Sequence, residues 1–310
     1  MDPDISVVMS VYNGEADLRA TAESILTQSG VELELIVIDD GSTDASGAIL
    51  DEMASGDPRV RIFHQENRGL TGALIRGCAA ARGRYIARQD CGDTSEPRRL
   101  LLQKQLLDSN DELVFVSCWT AFAGPAGEPL SESRGTGAAS SAIHILAPSN
   151  EWGVIDGPTC HPSVMMRRDA YERAGGYRAE FAVGQDWDLW YRLAALGKFQ
   201  IVPEILYTAQ ITPRSISGGA RHAQQTIAQL SLAAMRARMN GESDAEFVRR
   251  ASEVRAVREL GACGEARSFY AIGEALRRRR DVRGRDYFRR AIARCPRLFK
   301  AWIRYAQSFF

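Results

Sequence analysis

The 310 residues, 45% hydrophobic and 25% charged, suit one large domain or a domain with a smaller appendage. The 39 basic and 39 acidic residues cancel, which argues against nucleic acid as the main partner, and no apolar run approaches the roughly 18–20 residues of a membrane span. The opening Met-Asp-Pro-Asp lacks the basic and apolar regions of a secretory signal. The six cysteines (Cys78, Cys91, Cys118, Cys160, Cys263 and Cys295) are scattered without a CxxC pair. That spacing predicts reduced thiols in a cytoplasmic protein, with neither a zinc site nor a disulfide framework.

From the start of the chain, short β-branched runs alternate with helical periodicity. "ISVVMSV" (5–11) reads as a buried strand. A helix follows with Leu18, Ala22, Ile25 and Leu26 on one face and Asn13 as its N-cap. "LELIVID" (33–39) is a second strand, breaking into "DGSTD" (40–44), whose Ser/Thr/Asp cluster caps a helix carrying Ile49, Leu50 and Met53. "VRIFHQ" (60–65) is a third strand. A helix from about Arg68 to Ala81 turns Leu70, Leu74, Cys78 and Ala81 inward, and "RYIARQ" (84–89) is the fourth strand. This β-α-β-α-β-α-β order predicts a parallel sheet sandwiched by helices, with ligands at the carboxyl ends of its strands. The polar loops there are "YNGE" (12–15), "DDGSTD" (39–44), "ENRG" (66–69) and "DCGD" (90–93).

Beyond Pro97 a leucine-rich helix (Leu100 to Leu107) leads to a strand at "ELVFVSCW" (112–119). Residues 124–149, rich in Gly, Ala, Ser and Pro, predict a mobile loop over the site. "PSVMMRR" (162–168) reads as a strand. "DWDLWYRLAALG" (186–197) reads as a helix with Leu189, Trp190, Leu193 and Ala194 inward and Gly197 at its end. "FQIVPEILY" (199–207) closes the core. From about Gly218 the pattern is helical, which divides the chain into residues 1–217 and a separate all-α appendage, 218–310. Within it, "RDYFRRAIARCPRLFKAWIRYAQSFF" faintly resembles one tetratricopeptide-like hairpin. From Ala245 to Phe310 there are 17 Lys/Arg against 7 Asp/Glu. This tail, with "RRRR" at 277–280 and an aromatic end, is either a solvated arginine-faced bundle or a peripheral attachment to an anionic membrane surface.

Neither GxxxxGK[ST] nor GxGxxG occurs, so the phosphate-cradling and dinucleotide fingerprints are absent. "SVVMSVYNGEADLRATAESILTQ", "LIVIDDGSTD", "ENRGLTGALIRGCAAARGRYIARQD", "CHPSVMMRR", "GGY" and "QDWDLWYRLAALG" come in an order and at a spacing that resemble the family 2 glycosyltransferases, over roughly residues 5–217. The resemblance implies an α/β fold of GT-A type, a Rossmann-like, mostly parallel sheet flanked by helices. It also implies an inverting enzyme that moves a sugar from a nucleotide-diphosphate sugar to a hydroxyl of a growing surface glycan or its lipid-linked precursor.

The same resemblance assigns roles. Ser10, Val11, Tyr12 and Glu15 face the donor's base and ribose, Tyr12 offering a flat face. Asp40 hydrogen-bonds the base or ribose, while Asp39 supports the turn. Arg68 and Arg88 compensate diphosphate charge, and Arg214, in the closing loop "RSIS" (214–217), reaches the same group. The family's Asp-any-Asp metal element falls on Asp90 and Gly92, so its second acid is missing. Asp93 is expected to swing into that place on the freedom of Gly92, making it the closest ligand of Mg²⁺ or Mn²⁺, with Asp90 supporting the site or contacting the donor sugar. The residues alone also allow both acids to cap a helix near Pro97, helped by Thr94 or Ser95. The family's base is the second acid of a Glu-Asp pair, here Gln185-Asp186, so Asp186 is the expected general base, worth about 10²–10⁴ in rate. His161, Trp187 and Asp188 fall on the acceptor side, although His161 also suits a core position and Asp188 a structural cap. Two other readings stand beside the enzyme: a nucleotide-binding protein weakened by Gly92 and Gln185, and a sugar nucleotidyltransferase. The latter lacks its Gly-rich basic loop in "SVYNGEA".

Overall fold

The computed structural model describes residues 2–135, 140–141, 157–213, 221–254 and 261–309. Strands β1 (Ile5–Val11), β2 (Leu33–Asp39), β3 (Val60–His64) and β4 (Tyr85–Asp90) alternate with helices α1 (Leu18–Leu26), α2 (Ser46–Gly56) and α3 (Gly69–Ala79). β2 is buried along its whole length, as a strand covered by helices on both faces must be. These strands pair in parallel in the order β3-β2-β1-β4, and the register sets Val11 opposite Asp39 and Ser10 opposite Asp90. Their polar carboxyl ends therefore share one edge. Alternation along the strands feeds two apolar layers: Val8, Leu74, Ile86, Phe115 and Trp190 on one face, Val7, Met9, Ile25, Leu35 and Leu100 on the other.

The rest of the sheet is more mixed than the sequence pattern suggests. It adds β5 (Thr94–Ser95), helix α4 (Arg99–Ser109), β6 (Leu113–Ala123), β7 (Pro129–Ser133), β8 (Ser140–Ser141), β9 (Met165–Arg167), α5 (Arg168–Arg173), α6 (Gln185–Ala194) and β10 (Lys198–Gln210). β9 enters antiparallel between β4 and β6, while β10 lies parallel to β6. The strand expected over 162–168 is shorter because His161–Ser163 forms a single 3₁₀ turn around Pro162. Thr94 and Ser95 do not cap α4. They form β5, antiparallel to Thr208 and Tyr207 of β10, and α4 begins after Arg98 without a side-chain cap. Part of the expected 124–149 loop is strand β7 on β6; residues 136–139 and 142–156 lie outside the described residues. Asn13 is not the cap of α1, which starts after Asp17. Asn13 takes a left-handed backbone (φ 53), and its Oδ1 accepts from the Thr43 amide at 2.7 Å, joining two site loops.

Five helices follow: α7 (Arg221–Met239), α8 (Ala245–Ser252), α9 (Ala262–Arg278), α10 (Gly284–Arg294) and α11 (Phe299–Gln307). The expected boundary at 217/218 lies outside the described residues. The helices share cores with the sheet region: Ile227 and Leu230 of α7 pack with Phe181 and Val183, and Ile272, Leu276 and Tyr287 pack with Leu130 of β7. The Tyr287 hydroxyl donates to Glu128 at 2.6 Å. One expectation is overturned: Cys263 and Cys295 form a disulfide, because the start of α9 and the end of α10 lie side by side with Cα atoms 4.9 Å apart. Cys78, Cys91, Cys118 and Cys160 are free thiols. Among the described residues, no helix is long and apolar enough to cross a membrane.

Candidate active site

At the end of β2, Asp39 and Asp40 are both buried. Asp39 accepts from the Ser42 amide at 3.0 Å and pairs with His64 Nδ1 at 2.8 Å, while His64 Nε2 meets Asp51 at 3.0 Å. Burial pushes the Asp39 carboxyl up, but the Ser42 and His64 contacts outweigh it and hold it below the usual range. His64 is raised by Asp39 and Asp51 in turn. Asp40 Oδ1 accepts from Gln65 Nε2 at 2.7 Å and the Arg68 amide at 2.8 Å, so it fixes the loop after β3. Its Oδ2 carries no hydrogen bond from the described residues and is available to a donor on a ligand.

The loop after β1 divides its residues between scaffold and surface. The Val11 carbonyl accepts from the Asp40 amide at 2.8 Å, and Ser10 is half-buried beside it. Tyr12 presents its ring, 47% exposed. Glu15, expected to face the donor, instead accepts from the Ala45 amide at 2.8 Å at the start of α2, satisfying an N–H that the helix leaves unpaired. Arg68 is exposed at the start of α3 and has no carboxylate partner among the described residues.

Arg88 lies beneath the edge rather than on it. It is fully buried, its guanidinium donating to the Val8 and Gln89 carbonyls at 3.0 and 2.9 Å and to Asp90 Oδ1 at 2.5 Å. Burial opposes its charge and Asp90 more than restores it. Arg88, expected to meet a diphosphate directly, thus reaches the edge only through its pairing with Asp90, whose side chain is 37% exposed. A second buried arginine, Arg99, gathers this floor by donating to Gln89 Oε1, Ser95 Oγ and the Arg88 and Pro162 carbonyls at 2.7–3.0 Å.

The two-acid clamp expected at Asp90 and Asp93 does not form. Asp93 is 7% exposed and points inward, with Oδ2 accepting from the Tyr207 hydroxyl at 2.7 Å and Oδ1 from the Gln210 amide at 2.8 Å. Gly92 takes a left-handed backbone (φ 97) that directs the chain this way, and no side chain from position 92 replaces the missing acid. No group of three or more His, Cys, Asp or Glu able to hold a metal occurs among the described residues. Asp90, with one oxygen turned to Arg88, fits the part of a lone protein carboxylate, which suffices where substrate phosphates supply further oxygens.

Across from these groups α6 begins at Gly184, whose left-handed backbone (φ 64) and lack of a Cβ allow Ile227 to approach to 2.9 Å of where that atom would be. Asp186 in its first turn is half-buried. Burial pushes its carboxyl up to about 6; backbone amides of Trp187 and Asp186 and the charge of Arg88 oppose this, and the charge of Asp90 adds to it. His161 also sits here, its Nε2 2.7 Å from the Tyr177 hydroxyl and 3.5 Å from Arg88 Nε. Burial and Arg88 lower its pKa well below the usual value, so the ring is neutral and Nε2 accepts. Trp187 is half-buried against Trp190 and Tyr191, with ring centroids 5.3 and 6.2 Å away. Asp188 is turned fully inside, paired with Arg192 at 2.6 Å, and so is a structural partner rather than an acceptor contact.

Arg214 lies outside the described residues. Tyr177, Tyr207 and Gln210 were not singled out by sequence, although Tyr177 belongs to the quoted "GGY" and Tyr207 ends "FQIVPEILY". A tyrosine at a strand end facing an acid loop was the available signal.

The model of the family described as Glycosyl transferase family 2 matches residues 6–175. EpsE of Bacillus subtilis (strain 168), named a glycosyltransferase, is 35% identical over 196 residues, covering 61% of this chain and 66% of EpsE. ExoO of Rhizobium meliloti (strain 1021), named a succinoglycan biosynthesis protein, is 44% identical over 99 residues, covering 32% of this chain and 28% of ExoO. The match thus spans less than two thirds of EpsE and under a third of ExoO. Among solved structures, the mannosyltransferase PcManGT from Pyrobaculum calidifontis, in complex with GDP-Man and Mn²⁺, superposes with a TM-score of 0.56 at 16% identity, covering 90% of this chain and 75% of that one. At such identity the likeness is one of fold.

Proposed function

This chain belongs to glycosyl transferase family 2, and on that footing we propose that it moves one sugar, with inversion, from a nucleotide-diphosphate sugar to an acceptor hydroxyl. The acceptor is a bacterial-type surface polysaccharide or its lipid-linked precursor, a reading supported by the name of the relative ExoO. The enzyme works in the cytoplasm, touching the inner membrane face through its basic C-terminal region. Residues 1–217 carry the chemistry and the helices beyond them serve placement.

One observation carries this reading. Asp186, half-buried with its carboxyl raised to about 6, shares an electrostatic neighbourhood with the Asp90–Arg88 pair at the end of β4. A base of that pKa is mostly ionised at neutral pH yet basic enough to take a hydroxyl proton as the bond to the anomeric carbon forms. Asp40 and Tyr12 hold base and ribose, and Arg68 meets the diphosphate from the exposed side. Trp187 and the neutral His161 bound the acceptor. A divalent cation, when bound, neutralises the departing diphosphate; Asp90 is the residue that would hold it, and Mn²⁺ in PcManGT supports that choice of metal class.

The test is sugar transfer or donor hydrolysis across UDP-, GDP- and TDP-sugars, with and without Mn²⁺. Asp186→Asn should lower kcat by about 10²–10⁴ while nucleotide affinity stays within a few fold. In the wild type, kcat/KM should rise with pH through about 6 and level off above it, as ionisation of Asp186 creates the base. Full turnover in Asp186→Asn would remove the assignment. Tight nucleotide binding with no turnover on any donor would favour a binding protein instead.

A further inference from the structure

The last helix is amphipathic with its apolar side outward. In α11, Ala301 is fully buried and Arg304 and Tyr305 are half-buried on one side. Phe299 (75% exposed), Trp302 (48%) and Ile303 (56%) share the opposite side at i, i+3, i+4 spacing, with exposed Ala306 one turn on. Phe309 follows, 56% exposed. The Trp302 indole donates to the Pro296 carbonyl at 3.0 Å, so its polar atom is satisfied within the chain and the ring remains a purely apolar surface.

The surroundings of this stripe are basic. Residues 261–309 hold 13 Lys/Arg against 4 Asp/Glu. Arg297 and Lys300 flank Phe299, and neither has an ion-pair partner among the described residues; the same holds for Arg278, Arg279 and Arg280 at the end of α9. α11 runs back toward that end: Arg304 pairs with Glu274 of α9 at 2.9 Å, and Arg285 donates to the Ser308 carbonyl at 2.6 Å. The disulfide holds the start of α9 to the end of α10. The stripe is thus an exposed aromatic ridge on a braced, cationic unit. A second copy would set a like-charged surface against it, which is unfavourable; a plane of anionic headgroups over an apolar interior complements both features.

We propose that this face docks on an anionic lipid surface, with Phe299, Trp302 and Ile303 entering the boundary between headgroups and acyl chains and the flanking cations meeting lipid phosphates. The inference rests on the peripheral contact proposed above and names the residues that make it.

The test is co-sedimentation of the full chain with vesicles of phosphatidylcholine alone and of phosphatidylcholine with about one third phosphatidylserine. The wild type should bind only the anionic vesicles, and binding should fall steeply with added salt. Phe299→Ser/Trp302→Ser/Ile303→Ser should lower that partition at least about tenfold, as should Arg278→Gln/Arg279→Gln/Arg280→Gln. Donor turnover and thermal melting of the same samples separate this proposal from the catalytic one, since the stripe variant should keep both. Wild-type protein that ignores every vesicle, or a stripe variant that binds as the wild type does, overturns the proposal. So does a concentration-dependent dimer, seen by sedimentation velocity, that the stripe substitutions abolish; the face would then belong to a second copy.

Discussion

Burial, and then the nearby charge of Asp90, pushes the Asp93 carboxyl up to about 7, although the Gln210 amide and the Tyr207 hydroxyl bond to it. The native state therefore holds this proton more tightly than the unfolded chain, whose carboxyl titrates near 3.8. Its contribution to stability is full below that value, declines as pH rises, and is lost once pH passes about 7. Asp93→Asn cannot ionise, so its stability relative to wild type should improve by more than about 1.4 kcal/mol, the worth of one pKa unit, between pH 5 and pH 8 in urea melts. An unchanged difference would remove the buried-acid account. One residue earlier, Gly92→Asp offers the complementary experiment. A Cβ there would meet Gln210 Oε1 at 3.6 Å and Asp17 Oδ2 at 3.9 Å, which is room enough, but the backbone at φ 97 strains any side chain. The variant should lose about 1 kcal/mol or more without metal and gain a larger thermal shift with Mn²⁺ than wild type does, because two carboxylates then flank the cation. Sequence reading placed Asp90 and Asp93 at the end of β4 and in the loop after it, but not which way each points. For Asp93 that depended on Tyr207 and Gln210, more than a hundred residues away, and for Asp90 on Arg88 two residues before it.

α6 shows how far periodicity reaches. Leu189, Trp190 and Leu193 are buried as their spacing requires, and the helix start places Asp186 at the site edge. The i, i+4 pair Asp188–Arg192 has the pattern of an exposed ion pair, yet both side chains are buried, Asp188 1% and Arg192 5% exposed. Asp188→Ala leaves the Arg192 guanidinium without its carboxylate and should cost about 3–5 kcal/mol in unfolding free energy, whereas Asp188→Asn should cost less. Equal, small effects of both substitutions would show the pair to be dispensable. β1 and β2 were legible because each is a seven-residue, mostly apolar run, and β3 and β4 because their β-branched and aromatic residues stand between helical segments. β9 was read within the longer run 162–168, but β5 and β7 were not: segments of two and five residues show no period of their own and exist because β10 and β6 offer them hydrogen bonds. The outward stripe of α11 was visible only as an aromatic-rich end, since residue types alone do not say which side of a helix finds a neighbour.

At the scale of the molecule, the helical region and the sheet are joined by the Leu130 cluster and the Tyr287–Glu128 hydrogen bond. The Cys263–Cys295 disulfide braces the same unit across a separation of 32 residues. Replacing both cysteines by serine should lower its stability by about 2–4 kcal/mol, visible as an earlier transition that matches wild type in reductant; coincident melts under oxidising conditions would deny the bond a stabilising part. The pairing escaped sequence reading because it needs the α9–α10 turn to bring its ends together, and no short motif records that.

β10 has a consequence of a different kind. Its 13 residues begin just after α6, the helix that carries Asp186 in its first turn, and end at Gln210, whose amide donates to Asp93. One continuous strand therefore ties the far end of the helix that carries Asp186 to the loop after β4 that holds Asp93. Its pairing with β6 slips between Val202 and Ile205 and again between Ile205 and Tyr207, so small changes of length can be absorbed upstream. Between Tyr207 and Gln210 there is no such slack. A single inserted residue there would turn the following side chains to the opposite face and pull the Gln210 amide away from Asp93.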